Sequence, residues 1–204
     1  MKKFELTTEF ITNMFGKKLF RIKALVEFGN VKAGELGGYV EKEENVSQDG
    51  NAWVSGNAEV SGNARVSGNA RVYGNAWVSG NAEVSGNARV YGNAWVYGNA
   101  EVYGDAWVSG NAWVYGNARV SGNARVSSDA DYALVQGFGT EFRCTTFYRG
   151  KNKKIMVNCG CFHGDLEGFR KQVKETRNGK IAKEYLMIAD LMEYHFTSED
   201  SSNE

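Results

Sequence analysis

Residues 50–67 read GNAWVSGNAEVSGNARVS, and the same six-residue unit continues without insertion to Ser127. The unit is Gly-Asn-Ala-x-Val-(Ser/Tyr); it occurs thirteen times, and Asp105 in place of Asn is the only break in its fixed positions. Ala and Val lie two residues apart, so in an extended strand both point to one side. Gly tolerates positive φ and Asn visits the left-handed region, which predicts a corner at each Gly-Asn pair. Such short strands cannot bury their Ala/Val side alone, so the repeat predicts a solenoid in which turn stacks on turn.

The composition excludes several other classes of protein. The chain has 204 residues, 25 of them Gly, and no Pro, which argues against collagen-like and Pro-rich linker sequences. The absence of Pro fits a solenoid, because each strand needs its backbone N–H for a hydrogen bond to the neighbouring turn. Basic and acidic residues balance at 24 each, and no Lys occurs between residues 50 and 127, so we expect no binding of long nucleic acid.

The same sequence gives no sign of a membrane segment. No apolar run approaches the length of a membrane span, and the start, MKKFELTTEF, lacks the apolar core of a signal peptide. We therefore expect a cytoplasmic protein without membrane contacts.

Val54-Ser55-Gly56-Asn57-Ala58-Glu59 resembles the signature of the hexapeptide-repeat family, with an aliphatic residue, turn-forming residues and a small residue two before the next aliphatic. The resemblance implies a left-handed parallel β-helix with three hexapeptides per triangular turn. The stretches 19–22, 37–41 and 159–164 look similar to uncharacterised hexapeptide-repeat proteins of phages and prophages. That similarity implies a phage protein acting in the host cytoplasm.

The regions that flank the repeats predict caps. Residues 1–49 predict an N-terminal β cap, with a hairpin of residues 4–11 and 17–26 followed by an irregular first coil from Val31 to Val46. Tyr132 and Phe138 continue the six-residue spacing, so we expect the β-helix to cover residues 50–138 with one further imperfect coil.

Residues 139–204 predict a small ββαα unit of the α+β class. Gly150-Lys151-Asn152-Lys153 is typical of a hairpin turn, which predicts that Cys144 faces Cys159. A helix capped near Asp165 is expected to run to Thr176, and a second helix to follow Asn178-Gly179. The predicted apolar stripe of the second helix comprises Ile181, Tyr185, Ile188, Met192 and Phe196.

With 18 residues per turn, the outward residues fall into vertical columns on three faces. The aromatic face has Glu59, Trp77, Trp95 and Trp113 in one column, with Ser61, Ser79, Tyr97 and Tyr115 beside it. The arginine face has Trp53, Arg71, Arg89, Trp107 and Arg125, with Tyr73 and Tyr91 beside the central arginines. The charged face has Arg65, Glu83, Glu101 and Arg119, where opposite charges one turn apart can pair.

Two of these faces are candidate binding surfaces. Exposed aromatic patches usually mark contacts, so the aromatic face predicts self-association or a protein partner, with a stacking surface for a base or sugar, or simple ladder stabilisation, as alternatives. On the arginine face, Arg71 and Arg89 beside aromatic rings form either an internal cation–π ladder or a site for a nucleotide phosphate and base.

The resemblance also raises the question of catalysis, because many hexapeptide-repeat proteins are acyltransferases that use a histidine on or beside the β-helix. The only histidines here, His163 and His195, lie outside the repeats, and the regular region extrudes no loop. Because the repeats contain no histidine, the sequence also argues against the three-histidine zinc site of the carbonic anhydrases built on this fold. We therefore expect no catalytic residues in the β-helix and no cofactor.

The C-terminal unit holds the remaining candidate chemistry. Cys144, Cys159, Cys161 and His163 are consistent with buried structural thiols, with a Cys₃His zinc site, or with a Cys/His nucleophile. The Cys-x-Cys-x-His spacing differs from the usual Cys-x₂-Cys zinc motif.

Together these observations predict a non-catalytic β-helix protein that forms homo-oligomers and binds a partner. The phage resemblance implies that it counteracts host defence, by sequestering a nucleotide-like signal or by binding a host protein. The alternatives are an acyltransferase-like enzyme and a structural or assembly protein.

Overall fold

The protein is described by a computed structural model that covers residues 2–197. The N-terminal segment forms three strands, β1 (Phe4–Thr12), β2 (Lys18–Ala24) and β3 (Leu36–Val40). β1 and β2 form the predicted antiparallel hairpin, β3 pairs antiparallel with β2, and its other edge pairs in parallel with the repeats. A 3₁₀ turn over Glu43–Asn45 leads into the first repeat.

The repeats form a β-solenoid of about five turns. In each unit the x and Val positions make a two-residue strand, and each strand pairs in parallel with the strand 18 residues further on, as in the pairing of Trp77 with Trp95. Three units therefore complete one turn, as the resemblance to the hexapeptide-repeat family implies. The strands are β4 Trp53–Val54, β5 Glu59–Val60, β6 Arg65–Val66, β7 Arg71–Val72, β8 Trp77–Val78, β9 Glu83–Val84, β10 Arg89–Val90, β11 Trp95–Val96, β12 Glu101–Val102, β13 Trp107–Val108, β14 Trp113–Val114, β15 Arg119–Val120 and β16 Arg125–Val126.

The three faces of the solenoid are three parallel sheets. The aromatic face has the order β3-β5-β8-β11-β14 and is continued by β2 and β1 at its N-terminal edge. The arginine face has the order β16-β13-β10-β7-β4, and the charged face has the order β15-β12-β9-β6. The predicted columns are confirmed, because each sheet pairs the x positions in the expected register.

The Ala and Val side chains fill the interior. Every repeat Ala and Val between Ala52 and Val126 is at most 1% exposed. Because apolar burial is the main favourable term in folding, this column of small aliphatic groups is the core of the molecule.

The corners are held by hydrogen bonds between asparagines of successive turns. Asn57 Nδ2 donates to Asn75 Oδ1 at 3.2 Å, Asn75 donates to Asn93 at 3.3 Å, and Asn93 donates to Asn111 at 3.1 Å. Similar ladders follow the other two corners, and one of them ends at Asp105, which accepts from Asn87. The Asn positions therefore contribute side-chain ladders in addition to their turn propensity.

The C-terminal unit is a four-stranded antiparallel sheet covered by two helices. Its elements are β17 (Tyr132–Phe138), β18 (Arg143–Arg149), β19 (Ile155–Cys159), β20 (Phe162–Asp165), α1 (Leu166–Thr176) and α2 (Gly179–Thr197). Asp165 caps α1 by accepting from Gly168 N at 2.9 Å, as predicted. The buried residues of α2 include Tyr185, Ile188, Met192 and Phe196 of the predicted stripe. Residues 198–204 of the expected unit lie outside the described residues.

The structure differs from the expectation that an imperfect coil extends to Phe138. Tyr132–Phe138 pairs antiparallel with β18 and opens the C-terminal sheet. The cause lies at residues 128–131, where a 3₁₀ turn replaces the Gly-Asn corner and Asp131 Oδ2 accepts from the backbone N–H groups of Ser127 and Ser128. Without a glycine to supply positive φ, the chain leaves the solenoid at this point.

The predicted caps close both ends of the solenoid. At the N-terminal end, the 96% buried Lys3 donates from Nζ to Ala52 O at 3.0 Å, and burial lowers its pKa to about 8. The Asn45 amide donates to Gly62 O and Ala64 O. These side chains occupy the carbonyl groups that a further turn would have used.

At the C-terminal end, side chains and one loop form hydrogen bonds to the free backbone groups of the last turn. Trp113 N donates to Asp129 Oδ1 at 2.8 Å, and Arg119 N donates to Thr146 Oγ1 at 2.9 Å. Asn158 Nδ2 donates to Arg119 O, and Lys151 N donates to Asn123 O. The last turn is therefore bonded to Asp129 of the 3₁₀ turn on the aromatic face, and to the C-terminal unit at Arg119 and Asn123.

Candidate functional site

The three tryptophans of the aromatic face form one column of rings. The centroids of Trp77 and Trp95 are 4.8 Å apart with planes tilted by 64°, and those of Trp95 and Trp113 are 5.0 Å apart with planes only 7° from parallel. Trp77 and Trp95 are partly buried, whereas Trp113, at the end of the column, is 43% exposed. These three rings therefore pack against one another along the column, and the exposure is greatest at Trp113.

A second column of rings runs beside the first. Tyr97 and Tyr115 stack at 5.4 Å, and Tyr132 of the C-terminal unit meets Tyr115 edge-on at 6.4 Å. Tyr115 is 49% exposed, while Tyr132 is buried, and burial raises its pKa above the usual range. The two columns together make a broad apolar surface at the C-terminal end of the face.

The β1–β2 turn extends the aromatic face at its other end. Phe15 stacks on Trp77 at 4.9 Å with planes 14° apart, and both Phe15 and Met14 are more than half exposed. Glu59, below Trp77 in the column, lies in a recess lined by Met14, and burial raises the pKa of its carboxyl group. Sequence reasoning placed Phe15 in a hairpin turn but missed this contact, because the turn reaches the face only through the tertiary fold.

The arginine face differs from its predicted form at Trp53. Trp53 is 1% exposed, because Phe4 and Phe28 of the N-terminal segment pack edge-on against it at 6.2 and 5.4 Å. The Arg71 guanidinium lies beside Gly29 of the same segment. Trp53 is therefore a core residue of the N-terminal cap, and it offers no surface to a ligand.

The rest of the arginine face forms an internal ladder. Arg89 and Arg125 lie over the ring of Trp107, with distances of 5.1 and 4.2 Å to its centroid. Tyr73 and Tyr91 stack at 4.9 Å with planes 1° apart, and burial raises the pKa of Tyr73. The structure thus contains the cation–π contact that the sequence offered as one alternative for Arg89, with Arg125 on the same ring, whereas no such contact is found for Arg71 within the described residues.

The charged face contains one of its expected ion pairs. Arg119 Nη2 lies 3.0 Å from Glu101 Oε1, and both side chains are more than a third exposed. A pair so exposed contributes about 0–1 kcal/mol.

The cysteines do not converge with His163 on one point. Cys159 pairs with Thr145, one residue from the predicted register, so Cys144 points to the opposite side of the sheet. Thr145 Oγ1 donates to Cys159 Sγ at 3.1 Å, Cys161 is exposed, and burial raises the pKa of the Cys144 thiol. Within residues 2–197 no group of three or more His, Cys, Asp or Glu side chains is arranged to hold a metal ion, so the Cys₃His arrangement that the sequence offered as one alternative is absent there.

His163 instead joins the C-terminal sheet to the last turn of the solenoid. Its Nδ1 lies 2.6 Å from Asn158 Oδ1 and 3.3 Å from Ser121 Oγ. Ser121 and Asn158 are buried and bonded to each other at 3.0 Å. This network ties β20 to the end of the charged face.

Three stretches of the repeat region match the family model described as the YdcK beta solenoid repeat: residues 64–80, 82–100 and 112–128. A search of curated proteins finds no match to the chain. No helix within residues 2–197 has the length and apolar character needed to cross a membrane. The repeat region is thus similar to a known β-solenoid repeat, in agreement with the architecture.

Proposed function

We propose that this β-solenoid is a non-catalytic interaction protein that self-associates through its aromatic face. The observation that carries the proposal is the column of Phe15, Trp77, Trp95 and Trp113, whose rings contact one another along a single exposed sheet. Large apolar side chains collected on one surface mark contact sites far more often than they serve a monomer.

The exposed apolar side chains follow the face from end to end. Met14 and Phe15 in the hairpin turn are 75% and 57% exposed, and Tyr115 and Leu134 at the other end are 49% and 37% exposed. Covering these groups removes apolar area from water at about 25 cal/mol per Å² before the costs of association. This distribution supports an interface that runs along the solenoid.

A second copy of the chain fits this surface better than an unrelated partner. The rings repeat every turn, at centroid distances of 4.8–5.0 Å in the tryptophan column, so two copies present the same spacing to each other. Self-complementary patches of this kind form two-fold interfaces. The balanced formal charge of +0 at pH 7 adds no net repulsion between copies.

Three more specific hypotheses concern action against host defence, a nucleotide site and the absence of catalysis. Action against host defence and a host-protein partner are supported by the sequence resemblance to phage proteins. A nucleotide site on the arginine face is supported by Arg71 and Arg89, but Trp53 and Trp107 are occupied by the cap and by Arg89 and Arg125. The non-catalytic assignment is supported by the absence of histidine from residues 50–127 and by the bonding of His163 at the junction.

Native mass spectrometry and light scattering of the full chain at micromolar concentration test self-association. We expect an oligomer for the wild type, and at least tenfold weaker association for Trp95→Ser, because a central ring of the column is lost. Trp107→Ser is the matched control, since it removes a partly buried tryptophan from the arginine face. A monomeric wild type, or equal weakening by both substitutions, would overturn the proposal.

A further inference from the structure

The C-terminal end of the aromatic face contains a cleft of about 530 Å³. It lies where the last turn of the solenoid meets the C-terminal sheet, and its size is within the range of small-molecule sites. The lining residues are Tyr97, Trp113, Tyr115, Asp129, Tyr132 and Leu134, with Ala133 between the last two.

One wall of the cleft is formed by Trp113, the last ring of the tryptophan column. Trp95 stacks on one side of the Trp113 ring at 5.0 Å, and no ring of residues 2–197 stacks on its other side. The next position of the column, 18 residues on, is Asp131, in the 3₁₀ turn that ends the repeats. The column therefore stops at Trp113, and one face of its ring has no aromatic neighbour within the described residues.

The polar group of the cleft is a carboxylate. Asp129 Oδ1 accepts from Trp113 N at 2.8 Å, which fixes the carboxylate beside the ring, and Oδ2 has no hydrogen-bond partner within the described residues. No Lys or Arg lines the cleft. A ligand group beside Asp129 must then donate a hydrogen bond, and a phosphate or carboxylate at that point would be repelled.

We propose that this cleft binds a purine or pyrimidine base of a free nucleoside-type molecule, stacked on Trp113 with its amino edge against Asp129. Stacking requires a flat ring, and the carboxylate requires N–H donors on the ring edge, which amino-bearing bases combine. Tyr115 and Leu134 flank the base, and both are exposed enough to contact it. The cleft holds one nucleoside, and the absence of basic side chains disfavours a polynucleotide.

The cleft shares Trp113, Tyr115 and Leu134 with the surface proposed for self-association, whereas Asp129 belongs to the 3₁₀ turn that ends the repeats. A nucleoside and a second copy of the chain would therefore compete for these shared side chains. Ligand binding is measured by calorimetry and assembly size by mass spectrometry on the same samples, so a failure of one proposal is distinguished from a failure of the other.

The test is calorimetric titration of the full chain with adenosine, guanosine and cytidine, each to the limit of solubility. We expect saturable binding of at least one of them. For adenosine the matched ligand is purine riboside, which lacks the amino group, and we expect it to bind the wild type roughly tenfold more weakly.

Two variants test the contacts, with Trp107→Leu on the arginine face as the control. We expect Trp113→Leu to weaken binding roughly tenfold or more, because the stacking face is lost. Asp129→Asn keeps an oxygen for Trp113 N but turns an NH₂ group toward the ligand, and it should remove the preference for adenosine over purine riboside. Circular dichroism checks that each variant folds. No heat with any nucleoside, or wild-type affinity in both variants, would overturn the site.

Discussion

At the scale of single residues, the corner glycines meet two separate demands. Gly86 has a φ of +66°, and a Cβ built on it would lie 2.9 Å from the backbone N of Gly104 in the next turn. Gly116 has the same φ, but nothing lies within 4 Å of its Cβ position, because no turn stacks above it. Gly86 therefore meets both a conformational requirement, the positive φ, and a steric one, the close approach of the next turn. Gly116 meets only the conformational requirement.

We expect Gly86→Ala to destabilise the protein by about 2–4 kcal/mol, because it combines left-handed strain with a backbone clash. Gly116→Ala should cost only about 1–2 kcal/mol, from the strain alone. Urea unfolding of both variants at one pH measures the difference. Equal costs at the two sites would show that turn-to-turn contact does not restrict the corner.

At the scale of elements, the end strands are stabilised by side chains that replace a missing neighbour. Arg119 in β15 has no strand beyond it, and its N–H and C=O bond to Thr146 and Asn158 instead. Thr146 is 1% exposed, so water cannot substitute for its hydroxyl. A buried donor without a partner costs about 1–3 kcal/mol.

We therefore expect Thr146→Val, which keeps the shape but removes the acceptor, to destabilise the protein by about 1–3 kcal/mol. Thr145→Val is the control, because it is equally buried and loses only a hydrogen bond to the Cys159 sulfur, worth less than about 1 kcal/mol. Thermal or urea denaturation ranks the two. If Thr145→Val were the more damaging, the hydroxyl of Thr146 would not be what closes the edge.

At the scale of the whole molecule, the two caps set the length of the solenoid. The repeat has no internal signal for stopping, since each turn offers the next one an identical edge. The N-terminal hairpin and the C-terminal unit cover these edges, which would otherwise pair with other chains.

A chain ending at Ser127 should expose the backbone edges of β14, β15 and β16 and associate end to end. Sedimentation velocity of this truncated chain is expected to show larger, concentration-dependent species than the full chain. Adding Arg119→Pro to the truncated chain removes one edge N–H and should reduce that association. Species of unchanged size, or association unaffected by the proline, would contradict edge pairing as the cause.

The local pattern of the sequence determined most of the fold. A strict six-residue period places every Ala and Val on one side of the strands and every Gly-Asn at a corner, because strand alternation and turn chemistry act within a few residues. The turn of three units, which places positions 18 apart in one column, is implied by the resemblance to the hexapeptide-repeat family, and the strand register confirms it. The helices of the C-terminal unit follow from the same kind of signal, with a cap at Asp165 and an apolar stripe after it.

Only the tertiary structure decided which of the outward residues remain available. Trp53 and Trp107 occupy the same column and look equivalent in the sequence, yet Phe4 and Phe28 bury the first and leave the second partly exposed. Likewise, Asp129 and Leu134 reach Trp113 because the chain leaves the solenoid at Ser128. The period fixes contacts between neighbouring turns, but contacts between a cap and a face join residues tens of positions apart, and no local pattern encodes them.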